Sequence, residues 1–124
     1  MLDAILAVLS ASPLIKEFQI EELDKTPEGD FLLKVRCRLL GGQFFQIRIR
    51  HTFSFTRYAY QMFTDAPLFR WDNVPHYPQL DNFPHHFHRK QDAPVPSNLI
   101  GNPVVDLSQV LKEADLLLSE CQNL

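Results

Sequence analysis

The chain has 124 residues, 45% hydrophobic and 22% charged, which are the proportions of a folded domain rather than a disordered or fibrous chain. At this length it reads as a single domain, 1–124, large enough to fold without disulfides or a structural metal. With 12 Lys and Arg against 15 Asp and Glu, the net charge of −3 excludes bulk electrostatic attachment to nucleic acid but leaves room for a local basic patch.

Leu2, Ile5, Leu6 and Leu9 fall at helix spacing, and Pro13 ends that helix. From Lys16 to Glu22, Phe18 and Ile20 alternate with Glu17, Gln19 and Glu21, a half-buried strand. Thr26 to Asp30 has turn composition. Leu33, Val35, Cys37 and Leu39 then alternate with Lys34, Arg36 and Arg38, giving one apolar face and one row of cations. Gly41-Gly42 reads as a hairpin turn. Phe45, Ile47 and Ile49 alternate with Gln46, Arg48 and Arg50, so two neighbouring strands can place their cations on one face. His51 continues that strand as a partly buried histidine at the sheet end.

A further β run is expected from Phe53 to Phe63, with Tyr58, Tyr60 and Met62 in phase, and a short final strand from Leu68 to Trp71. Seven of the 9 Pro lie between Pro67 and Pro103, so this stretch reads as a long irregular Pro/His-rich loop. The chain closes on a helix with Asp106 as N-cap, Gln109 at capping-box spacing, and a stripe of Leu107, Val110, Leu111, Ala114, Leu118 and Cys121. The expected fold class is therefore α+β: an antiparallel β-meander packed by an N-terminal and a C-terminal helix, its cationic face left free.

Cys37 and Cys121 lack paired spacing, which argues against a disulfide scaffold or a cysteine zinc site. No Lys or Arg precedes the apolar run from Met1 to Leu9, and no run approaches the roughly 18 apolar residues of a membrane span, so the cytoplasm is the expected location.

Chemistry concentrates in residues 69–88. This stretch holds Arg70, Asp72, Asn73, His76, His85, His86 and His88 on a Pro-stiffened frame. Two imidazoles can serve as general acid and base, an Arg can hold a phosphate, and an Asp can orient an imidazole. A metal-independent ribonuclease needs these parts and no cofactor, because the RNA 2′-hydroxyl is the nucleophile. His76 and His86 are the expected acid/base pair, with Arg70 on phosphate and Asp72 as orienter. Asn73, His85 and His88 are further binding candidates. The same cluster has a metal reading: His86 and His88 project to one side of an extended chain, and His76 or Asp72 completes a zinc-type set. The competing structural reading is a loop whose His and Pro pack on the sheet. The cationic face of Lys34, Arg36, Arg38, Arg48 and Arg50 could follow a phosphate backbone, with Tyr58 or Tyr60 stacking a base. It could equally dock an acidic partner or be a solvated face.

The run FRWDNVPHYPQLDNFPHHFH resembles the signature of the TumE family of prokaryotic toxin–antitoxin proteins. There F-R-Y/W-D-N-x-P-H-H/Y-P is followed shortly by F-P-H-H-x-H, and Tyr77 stands where a second His is common. The remaining likeness is in outline: length, terminal helices, a Gly hairpin and a Tyr-x-Tyr strand. The resemblance implies a small cytoplasmic toxin of a type II pair, with a helix-turn-helix antitoxin as partner and Arg70, Asp72, Asn73, His76, His85, His86 and His88 as site residues. RNA is the target the chemistry suggests, and a homodimer through the helix stripes stays open. The alternative is a non-enzymatic module that binds nucleic acid or protein through its cationic face.

Overall fold

The computed structural model describes residues 1–122. Helix α1 spans Leu2–Ala11 and helix α2 spans Pro103–Gln122. Between them lie β1 (Ile15–Lys25), β2 (Phe31–Leu39), β3 (Phe44–His51), β4 (Thr56–Phe63), β5 (Pro67–Asp72), β6 (His86–Arg89) and β7 (Val95–Pro96). The seven strands form one sheet in chain order with every neighbour antiparallel. This is the α+β meander expected from the alternation of apolar and polar residues.

The pleat explains the layering. Leu33, Val35, Cys37 and Leu39 of β2, Phe45, Ile47 and Ile49 of β3, Tyr58, Tyr60 and Met62 of β4, and Phe69 and Trp71 of β5 all point to one face. Both helices cover that face. Ile5 and Leu9 of α1 and Leu107, Val110, Leu111, Ala114 and Leu118 of α2 complete the core. Trp71 ties sheet to helix: its ring is fully buried, and Nε1–H donates to Glu113 Oε2 (2.8 Å). Burial pushes the Cys37 thiol up to about 12, so it behaves as a small apolar side chain.

The β2–β3 turn needs glycine at Gly42, where φ is +90°. At the far end of the same hairpin His51 is half-buried, bonded through Nδ1 to the Thr56 hydroxyl (2.8 Å) and packed on Phe31. Helix α1 runs as expected and stops before Pro13.

Several expectations are corrected. The strand expected from Phe53 begins at Thr56. Thr52 Oγ1 accepts the Ser54 and Phe55 N–H groups (3.2 Å each), and Thr52 N–H donates to the Phe55 carbonyl (2.8 Å), which closes a turn there. Strand β5 is not the last. The Pro/His-rich stretch, read as irregular throughout, contains β6 and β7, because His86–Arg89 carries no proline and can pair fully with β5. In β1 the alternation breaks at two register shifts, between Ile15 and Glu17 and between Ile20 and Glu22, and Ile20 is left exposed at the sheet edge. Cys121 is exposed rather than part of the α2 stripe.

The start of α2 is also different. Asn102 Oδ1 accepts the Val104 N–H (3.1 Å), so Asn102 is the cap and Pro103 the first helical residue. Asp106 is instead buried inside the first turn. Its carboxylate reaches back to the Ile100 (3.0 Å) and Gly101 (2.8 Å) N–H groups and fixes the incoming chain. Gly101 has φ +93°, and a Cβ there would meet the His85 ring at 3.5 Å.

Asp106→Ala leaves two partly buried N–H groups without their acceptor and should lower unfolding free energy by about 1–3 kcal/mol, whereas Gln109→Ala should change it by less than about 0.5. Urea denaturation measures both. Equal losses would restore Asp106 and Gln109 as a capping box.

Candidate functional site

The pleat places Arg70 and Asp72 of β5 on the face opposite Phe69 and Trp71. Strand β6 repeats this, with Phe87 against Trp71 (4.9 Å between ring centroids) and His86 and His88 on the other side. The register sets Asp72 opposite His86 and Arg70 opposite His88. All four side chains therefore lie on the helix-free face, the one that carries the cations of β2 and β3.

Asp72 organises the group. Its Oδ2 accepts from Arg70 Nε (2.8 Å), and its Oδ1 accepts from the Val74 N–H (3.0 Å) and lies 3.0 Å from His86 Nε2. Asp72 and His86 are both buried, while the Arg70 side chain is 40% exposed. His86 Nδ1–H donates to the Pro84 carbonyl (3.1 Å). Both ring nitrogens of His86 are thus engaged inside the protein, one by the Pro84 carbonyl and one by Asp72. The His88 ring stands edge-on to His86, 4.9 Å between centroids, and is half-buried. Burial holds His88 below its ordinary 6.5, and the charges of His86 and Arg70 push the same way against the pull of Asp72. Tyr77 closes over the pair, its ring 4.8 Å from His86 and 5.9 Å from His88.

The remaining signature residues lie elsewhere. His76 is exposed on the connecting loop, 6.2 Å from the Tyr77 ring and outside the Asp72–His86–His88 group. His85 points to the helix side, where its Nδ1 is hydrogen-bonded to the Tyr58 hydroxyl (2.6 Å). Burial lowers its pKa below 6.5, opposed by Asp106. Asn73 is buried. Its Oδ1 accepts the Tyr58 N–H (2.9 Å), its Nδ2 donates to the Thr56 carbonyl (2.8 Å), and Arg57 donates to its backbone carbonyl. These bonds stitch the end of β5 to β4.

Across the open face the strands line up in rows. Arg36, Gln46, Gln61, Arg70 and His88 are successive register partners from β2 to β6. At ~4.8 Å per strand that row is about 19 Å long. Lys34, Arg48, Ala59, Asp72 and His86 form the next row. Strand β1 carries the balancing acids: Glu22 pairs with Lys34 (3.2 Å) and Glu17 with Arg38 (3.9 Å). The Lys34 pair is half-buried and the Arg38 pair exposed, and each is worth on the order of 1 kcal/mol or less. The Arg36 guanidinium lies over the Phe44 and Phe63 rings (4.7 and 5.2 Å), while Arg48 and Arg50 are exposed.

Tyr58 and Tyr60 do not serve this face. They are 2% and 0% exposed on the core side, which corrects their expected role in stacking a base. Arg57, Gln61 and Tyr77 belong to this face or cover the site; the sequence alone assigns Arg57 and Gln61 no site role, and Tyr77 stands out there only as a departure from the family signature. The signal for Arg57 was available: residues 31–64 contain six Lys and Arg (Lys34, Arg36, Arg38, Arg48, Arg50, Arg57) and no Asp or Glu.

Asp72, His86 and His88 each offer one ligand atom, all within 4.8 Å of one another, a set a divalent ion such as zinc could use. Two features oppose that use: the Arg70 guanidinium occupies Asp72 Oδ2, and its charge would lie beside a dication.

The fold and this group define a small α+β sheet protein with a polar, cation-flanked site on its uncovered face. The family model described as Toxin TumE matches residues 5–118, and the chain belongs to that family. It is thus a member of a family of toxins, which implies an antitoxin partner. No curated protein and no solved structure matches it. No helix among the described residues is long and apolar enough to cross a membrane.

Asp72→Ala leaves the Val74 N–H and a buried imidazole without their acceptor, and should cost about 2–4 kcal/mol in urea unfolding. Arg38→Ala should cost less than about 0.5. The pH dependence is also signed. His85 and His88 bind protons less readily folded than unfolded, so stability is full above about pH 6.5 and falls as acid titrates them. Urea midpoints should drop between about pH 7 and pH 5, and His88→Asn should reduce that drop. A slope unchanged in both His88→Asn and His85→Asn would sink this assignment.

Proposed function

We propose that this protein is the toxin of a type II toxin–antitoxin pair and that it cleaves RNA without a metal ion. The observation that carries the reading is the placement of Arg70, Asp72, His86 and His88 at the end of a cationic sheet row. A polyanion lying along that row brings a phosphate to Arg70 and a ribose to His88.

The chemistry follows from which groups can exchange protons. His86 has both nitrogens engaged inside the protein, so with Asp72 it positions and electrostatically supports the site. His88 is half-exposed and held largely unprotonated near neutral pH, as a general base requires. It takes the proton of the RNA 2′-hydroxyl as the 2′-oxygen bonds to phosphorus. Arg70 stabilises the charge that develops on the phosphoryl oxygens. The bond to the 5′-oxygen breaks, and that oxygen takes a proton from solvent water at the open face. The products are a 2′,3′-cyclic phosphate and a 5′-hydroxyl. The partner is an antitoxin, and a helix-turn-helix protein is the kind we assign.

Induced expression in a bacterial host, compared with site variants, tests this directly. Wild type should arrest growth, and its purified form should cut RNA to cyclic-phosphate ends with or without a chelator. His88→Ala should lose roughly 10²–10⁴-fold in cleavage rate while melting near wild type. Full toxicity of a folded His88→Ala variant would discard the mechanism. Cleavage lost on chelation and restored by zinc would replace it with a metal-dependent one.

A second reading, a non-enzymatic binder using the cationic face, is favoured by the run of residues 31–64 without a carboxylate. In that case Arg36→Glu with Arg48→Glu should abolish toxicity while His88→Ala leaves it intact.

A further inference from the structure

The turn between β3 and β4 presents aromatic rings to solvent. Phe53 is fully exposed, and Phe55 is 44% exposed. The turn is well defined, closed by four hydrogen bonds that link Thr52 to Ser54 and Phe55. Cations flank the second ring. The Arg50 guanidinium lies 5.8 Å and that of Arg57 6.0 Å from the Phe55 centroid. Arg50 and Arg57 are register partners, and Arg57 also donates to the carbonyl of Asn73, the residue after Asp72. The tip thus adjoins the same end of the sheet as the buried Asp72–His86 pair. Ala59, four residues along β4 from Phe55, is the register partner of Asp72. Four strand residues span ~13 Å, about four nucleotides at the ~3.4 Å spacing of a stacked strand.

We infer that this hairpin tip is a stacking platform for single-stranded RNA, Phe53 and Phe55 taking base faces while Arg50 and Arg57 take phosphates. The strand then runs along β4 to Gln61 and joins there the row that ends at Arg70 and His88. This rests on the proposed action on RNA and adds the substrate class. Base faces are free in single strands and covered in duplexes. An acidic peptide would match the arginines but give the Phe53 ring no flat partner. The 31–64 segment, free of carboxylates, suits a polyanion along the whole path.

The test uses full-length protein carrying His88→Ala, so that bound RNA persists, and a fluorescein-labelled single-stranded RNA of about twelve nucleotides, within the site sizes of such grooves. Anisotropy titration should show binding, weaker for a self-paired hairpin RNA. Adding Phe53→Ser and Phe55→Ser should weaken it about ten- to hundredfold, with the melting temperature unchanged. Adding Phe55→Trp alone should preserve it. Equal affinity of parent and double-Ser variant overturns the platform. Cleavage by the wild type separates the two claims. If wild type cuts RNA and the Ser variant cuts and binds equally well, only the platform falls. If wild type cuts nothing but Phe-dependent binding persists, only the cleavage reading falls. If the parent binds no RNA and the Ser changes instead loosen the co-expressed antitoxin, the tip is a protein dock and the inference is overturned.

Discussion

One carboxylate holds the uncovered face together. Asp72 is buried, and its two oxygens meet donors from three places: Arg70 on its own strand, the Val74 N–H where the loop departs, and His86 on the next strand. A buried acceptor cannot exchange these partners for water, so each contact is costly to lose. The register of β6 and the first step of the loop over residues 73–85 both depend on it. Phe87 secures β6 from behind against Trp71, so the short strand is gripped on both faces. A buried cluster of this kind is a stronger determinant of geometry than of net stability, because desolvating its charges offsets much of their attraction.

The pleat then sorts the histidines. His85 and His86 are adjacent in sequence but lie on opposite sides of the sheet. His85 joins Tyr58 under the helices, and His86 joins Asp72 in the open. His86 and His88, two apart, share a side and touch edge to face. The His-His-x-His run is therefore one internal tie plus one pair, not a triad. The same rule keeps Arg70 with Asp72 and leaves Asn73, a residue further on, to bind the backbone of β4.

These facing rules made much of the molecule legible. The alternation in residues 33–39 and 45–50 specifies two strands and their cationic side, because one face is buried and the other is not. The spacing of two in Arg70/Asp72 and His86/His88 already places each pair on one side of an extended chain. What escaped depends on partners distant in sequence. The strand nature of His86–Arg89 comes from pairing with β5, while the neighbouring prolines suggest loop. The bulges of β1 exist only relative to β2. Tyr58 and Tyr60 are in phase with each other whichever way they face, and only the register with Ile49 and Ile47 turns them inward. Phe53 and Phe55 have strand composition, but the Thr52 hydroxyl bonds the local backbone and ends the strand first. Asp106 and Asn102 are both good caps by type. Pro103 favours a start after Asn102, and Asp106 is then free to reach back across the turn.

The charge distribution links attraction to reactivity. The chain is acidic overall, yet its carboxylates are absent from residues 31–64, and eight of the 15 lie on β1 and α2, at one sheet edge and over the other face. Within a Debye length, about 8 Å at physiological salt, the field of nearby cations such as Arg48, Arg50 and Arg70 acts on a phosphate at the open face more strongly than the overall charge of −3 does. That field acts on His88 as well as on a passing phosphate. Burial is the main cause that disfavours a proton on His88, and His86 and Arg70 add to it, so a cation that attracts a polyanion also helps keep the base free to accept. Bound phosphate would neutralise part of that field and raise the proton affinity of His88 when a hydroxyl is presented to it. On the reading proposed here, substrate binding and activation of the base are two effects of the same charges.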